Sequence, residues 1–109
     1  MTTETAVEKS TRHTNPDGTV GGLIGPYAYV APTATVGYNA QVYGNARVTG
    51  NAWVADNAEV YGKAQVFERA RVYGDAKVFG DAWVGGAAWV GGSAWVSGDA
   101  KLSGDGWVQ

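Results

Sequence analysis

Few side chains in this chain could carry out a reaction. There is one histidine, His13, and no cysteine. A lone imidazole serves as a general base only if other elements hold it within hydrogen-bond reach of a substrate. Without thiols there is no nucleophilic cysteine and no thiolate metal site. The carboxylates add little: Asp75, Asp81, Asp99 and Asp105 each follow a glycine, where aspartate serves turn chemistry rather than metal binding. The groups that stand out are binding groups. The chain holds five tryptophans and six tyrosines, and Trp, Tyr and Arg dominate the energetics of protein interfaces. The chemistry open to it is therefore recognition, and the next question is what arranges the rings.

A six-residue period arranges them. Ile24, Val30, Val36 and every sixth residue to Val108 are aliphatic, and four places after each of the first fourteen stands Ala, or Gly at position 106. A short fixed period is the signature of a solenoid. Within one unit, Ala46-Arg47-Val48-Thr49 alternates small, polar, apolar and polar, the period-two pattern of a half-buried strand. Between such stretches come Gly and Asn or Asp at most units, the residues that best tolerate left-handed dihedrals. Each unit thus reads as a short strand and a sharp corner. A helix is excluded, because six-residue steps turn a helical face by ~240°. Three units closing a triangle give a coil, and fourteen units give four to five coils, stacked ~4.8 Å apart. The expected architecture is all-β: a triangular β-solenoid lined by Val and Ala, too narrow for a cofactor.

Composition sets the surroundings. Eight Lys+Arg against ten Asp+Glu give a net charge of −2. Nucleic-acid binders show a basic face, and Arg69, Arg71 and Lys77 are too dispersed to make one, so no nucleic-acid partner is expected. No apolar run approaches the ~18 residues of a membrane span, and the first residues lack the pattern of a secretory signal, so a cytoplasmic protein without a membrane role is expected. Residues 1–19 are polar and read as a flexible tail, with a turn at Asn15-Pro16-Asp17-Gly18. Residues 20–109 form the solenoid, and Val20–Ile24 is expected to plug its first coil. The last unit lies on the repeat grid, and an uncovered last coil invites another strand. This end is expected to meet another copy, as a dimer or trimer, or a partner.

The unit Val42-Tyr43-Gly44-Asn45-Ala46-Arg47-Val48 resembles the hexapeptide-repeat proteins, whose pattern is an aliphatic residue followed four places later by a small one. The resemblance covers about three-quarters of the chain. It implies a single-stranded, left-handed parallel β-helix. The best-known members are trimeric acyltransferases that carry a catalytic histidine on a coil or an extruded loop. Here no coil carries a loop and the histidine is His13, outside the repeats. The enzymatic side of the family therefore does not carry over. The resemblance points instead to short non-catalytic members found in bacteria and their phages, with a small inhibitor of a host protein as one version.

If every third unit shares a face, outward residues stack in columns. One reads Thr35, Trp53, Arg71, Trp89, Trp107, with Arg71 between two indoles. A second face carries Tyr43, Tyr61 and Phe79 as a ladder beside Gln41, Glu59, Lys77 and Trp95. The third carries Arg47, Gln65, Trp83 and Lys101 beside Thr49 and Phe67. Stacking within the molecule accounts for such columns, and so does an interface. The expected function is a non-catalytic protein-interaction module using Trp53, Arg71, Trp89, Trp107, Tyr43, Tyr61, Phe79, Trp95 and Trp83, with no catalytic or metal-ligating residue. The alternatives are a carbohydrate-binding surface, for which convergent polar groups are few, and a degenerate acyltransferase. Corner departures at Asp56-Asn57, Glu68-Arg69 and Gly86-Ala87 read as ordinary variation, with a surface pair open to Glu68 and Arg69. Bare glycine corners from Val84 to Val96 leave room beside the backbone.

Overall fold

The computed structural model describes residues 11–108. Strand β1 (Thr11–Thr14) leads through a turn into β2 (Val20–Ile24). Fourteen two-residue strands then follow at six-residue intervals, from β3 (Tyr29–Val30) to β16 (Trp107–Val108). Each strand pairs in parallel with the third strand after it, so three sheets wind around one core as a β-solenoid of about five coils. The regular strands are shorter than the four-residue alternation suggests. The alternation is nonetheless kept, because alanine and valine both point inward.

The core consists of those two residue types. Ten valines from Val36 to Val90 and ten alanines from Ala34 to Ala88 have no exposed surface, and the interior is filled by their side chains. Backbone groups are satisfied from coil to coil. The Arg71 N–H donates to the Ala88 carbonyl at 2.9 Å, the Tyr73 N–H to that of Val90 at 2.8 Å, and at a corner the Asn45 N–H to that of Gly62 at 2.7 Å. Burying small aliphatic side chains while pairing every strand with its neighbours is what makes a short repeat stable.

From Gly44 to Gly104 one residue per corner carries the bend with a positive φ. Gly62 has φ +70°, and a Cβ there would stand 2.9 Å from the Gly80 nitrogen of the coil below. Two corners place an acid where others place glycine: Asp56 has φ 58° and Glu68 φ 59°. Each offsets that strain with a hydrogen bond down the stack. Asp56 Oδ2 accepts the Gly74 N–H at 3.0 Å, and Glu68 Oε1 accepts the Gly86 N–H at 2.7 Å. Glu68 is thus engaged with backbone, and no ion pair to Arg69 forms among the described residues.

Of the expected tail, residues 1–10 lie outside the described residues, and residues 11–19 pack on the first coil as part of a hairpin. β1 pairs antiparallel with β2, Thr11 opposite Ile24 and Thr14 opposite Val20. The five-residue turn between them is closed by Gly18 N–H to the Asn15 carbonyl at 2.9 Å and by Thr19, whose N–H and hydroxyl both donate to Asp17 Oδ1. The Thr19 hydroxyl, then its amide, holds the Asp17 carboxyl below its ordinary pKa.

This hairpin supplies what a preceding coil would supply. Asn15 Oδ1 accepts the Val36 N–H at 2.9 Å, and His13 Nε2 donates to the Ala34 carbonyl at 2.8 Å. Arg12 donates to the Tyr38 and Gly21 carbonyls and lies 3.8 Å from the centre of the Tyr38 ring. Gly21 and Gly22 are buried against the backbone of Val36, Gly37 and Ala40, with no space for a Cβ. The plug expected of Val20–Ile24 is therefore shared with residues 11–19. Composition misses this because the reward is polar: unpaired backbone groups at the first coil are costly, and side chains satisfy them. No helix among the described residues is long and apolar enough to cross a membrane.

Candidate functional site

Each sheet presents two outward columns, one on either side of the buried valine. The expected columns form. Arg71 stands opposite both Trp53 and Trp89, Trp89 opposite Trp107, and Thr35 opposite Trp53. Lys77 stands opposite Glu59 and Trp95 on the second face, and Trp83 opposite Gln65 and Lys101 on the third. The three faces nevertheless differ in how far their side chains satisfy one another.

The tyrosine face closes on itself. Tyr43, Tyr61 and Phe79 stack with centroids 4.9 and 5.0 Å apart and planes within 4°, and Trp95 meets Phe79 edge-on at 5.7 Å. The neighbouring column neutralises its own charge: Tyr43 donates to Glu59 at 2.7 Å, and Lys77 reaches Glu59 at 3.4 Å. Burial first, then the bond to Glu59, raises the pKa of the Tyr43 phenol well above its ordinary value. On the third face Phe67 meets Trp83 edge-on at 6.1 Å and Lys101 lies 4.7 Å from the Trp83 ring centre.

The tryptophan face remains open. The Arg71 guanidinium lies 5.1 Å from the Trp53 ring centre and 5.6 Å from that of Trp89. Trp89 is held from two more sides, stacked on Trp107 at 5.5 Å and met edge-on by Tyr73 at 6.0 Å. Between them lies a depression of about 200 Å³ lined by Trp53, Ala55, Arg71, Val72, Tyr73 and Trp89. Its floor exists because Ala55 is small and the Tyr73 ring leans away from it over Gly91, where a Cβ would collide with that ring. Trp53 and Trp107 stay 44% and 67% exposed.

Two of these residues are not singled out by the sequence pattern. Ala55 and Tyr73 belong to the column that follows the valine on the tryptophan face: Gly37, Ala55, Tyr73, Gly91. The repeat grid already marks that column, and its one large residue among small ones is the available signal. The room expected beside the glycines of Val84–Val96 is occupied from above, by Phe67 over Gly85 and by Tyr73 over Gly91.

The arrangement offers binding groups. The imidazole of His13 is committed to a backbone carbonyl on the cap, and the groove holds one cation among aromatic rings, with Tyr73 in its wall. The family model described as the YdcK beta solenoid repeat matches residues 40–56 and 70–86, the second stretch carrying Arg71, Tyr73 and Val72 of the groove. No curated protein matches the chain, and no solved structure does. Repeat, register and this match agree on one identification: the chain is a β-solenoid repeat protein, similar over those two stretches to the YdcK repeats.

Proposed function

We propose that this chain is a non-catalytic protein-interaction module of hexapeptide-repeat type, a rigid solenoid whose tryptophan face docks a protein partner in the cytoplasm. The observation that carries the reading is the groove at Trp53, Arg71 and Trp89. There the exposed Trp53 and the half-buried Trp89 flank unfilled space beside the Arg71 guanidinium. A pocket for a small molecule commonly spans ~300–1,000 Å³, so about 200 Å³ suits an inserted side chain better than a cofactor. The cap role of His13 supports the non-enzymatic part of the proposal, since its Nε2 proton is held by Ala34. Self-association as a dimer or trimer, and inhibition of a host protein in a phage setting, are narrower forms of the same proposal.

The test is capture of partners from the source cell with the wild-type chain and with Trp89→Ser and Trp53→Ser, followed by the mass of each complex in solution. A central interface tryptophan is worth ~2 kcal/mol or more, so a partner held by the wild type is lost from both variants. Equal capture by all three chains removes the tryptophan face as the interface. Sedimentation of the free protein as a strict monomer at micromolar concentration removes the self-association.

A further inference from the structure

The groove also indicates the chemistry of what fills it. Arg71 is the single charged residue in the two outward columns of the tryptophan face. Its guanidinium lies over both indoles, yet among the described residues it makes no hydrogen bond and no ion pair. Cations elsewhere have partners of two kinds: Lys77 has Glu59 and Arg12 on the cap has two carbonyls, whereas Lys101 on the third face, like Arg71, lies over an indole, that of Trp83. The acids on the flanking corners are already engaged. Asp56 holds the Gly74 N–H, Glu68 holds the Gly86 N–H, and Asp75 meets Asn57 at 3.4 Å. Arg71 therefore presents a positive charge with five N–H donors, placed by aromatic rings and left without an acceptor.

A guanidinium in this condition fits a carboxylate, which can take two of its N–H groups at once. Beside it the apolar floor over Ala55 fits one aliphatic side chain. Both demands are met together by an acidic residue and an apolar one two places apart in an extended segment, where alternate side chains share a face. We propose that the tryptophan face recognises an acidic–apolar peptide segment, its carboxylate paired with Arg71 and the apolar side chain two places away seated over Ala55. This rests on the interaction reading above and specifies the partner's chemistry at that surface.

The probe is a blocked hexapeptide with glutamate and leucine two places apart among serines, set against the same peptide with glutamine in place of glutamate, with tryptophan fluorescence as the readout. The glutamate peptide is expected to bind saturably and to weaken as salt is added. The glutamine peptide, and the glutamate peptide on Arg71→Gln, are expected to bind about tenfold more weakly or worse. Arg71→Lys keeps the charge but not the fork, and is expected to lie between. Equal affinity for the two peptides, unchanged affinity in Arg71→Gln, or no binding of either overturns the proposal. So does an acidic oligosaccharide such as oligogalacturonate binding more tightly than the peptide. A natural partner retained by Arg71→Gln but lost from Trp89→Ser leaves the interaction module standing and removes only the acidic specificity.

Discussion

The tyrosine face and the tryptophan face are built from the same repeat, around the same valines, with the same spacing between coils. One pairs its charges internally and the other does not, while each leaves an indole 67% exposed, Trp95 and Trp107. On the tyrosine face the rings follow the valine in three successive coils, so each ring lands on the next, and Glu59 serves both Tyr43 and Lys77. On the tryptophan face the rings precede the valine, a cation interrupts them, and the facing column has one large residue, Tyr73, among small ones. Aromatic content alone therefore does not mark an interface. The proposed interface is instead a ring column whose neighbours neither fill the space beside it nor neutralise its charge.

The largest effect is expected from breaking the register on which both faces depend. Gly62→Val puts a β-branched residue at φ +70° with its Cβ against the backbone of Gly80. It is expected to cost ~3 kcal/mol or more, seen as a lower midpoint in denaturant and loss of both aromatic arrays in near-ultraviolet circular dichroism. Next comes Tyr61→Ala, which removes both stacking contacts of the central ring. At ~0.5–1.5 kcal/mol each, the loss is ~1–3 kcal/mol. Stability is expected to fall while binding at the tryptophan face is unchanged; loss of binding would erase the distinction between the faces.

Arg71→Gln is the converse. An exposed cation–π contact contributes ~0.5–1 kcal/mol, so the melting temperature is expected to move little while partner binding weakens sharply. A large stability loss without a binding defect would show that the tryptophan column, too, serves the fold. The smallest effect concerns titration of the tyrosine face. A raised phenol pKa means that its contribution to stability is complete below the unfolded tyrosine value of ~10 and declines as pH rises above it. Glu59→Gln removes the acceptor charge that helps raise Tyr43. Spectrophotometric titration is expected to show one tyrosine ionising at lower pH than in the wild type, with groove binding unaffected.

Much of this architecture is legible in the amino-acid sequence. The grid of Ile24, Val30 and their successors, with alanine four places on, specifies strand, corner and core. The eighteen-residue coil then places Trp53, Arg71, Trp89 and Trp107 in one column. Less legible is the ordered hairpin at residues 11–19. Its cues are local, Asp17-Gly18 between β-branched Thr14, Thr19 and Val20. Its stability, however, comes from distant acceptors and donors at Ala34, Val36 and Tyr38.

A strict period is enough to determine which residues point inward and which stack, because every coil repeats the same backbone and register leaves no freedom at the level of Cα. It does not determine where a side chain turns once it leaves the backbone. Tyr73 leans over Gly91 and uncovers Ala55, Tyr43 turns toward Glu59, and His13 reaches Ala34. Each of those choices depends on the volume and hydrogen-bonding needs of residues brought close only by folding. The groove and the cap accordingly belong to tertiary structure, and the tube that carries them to the repeat.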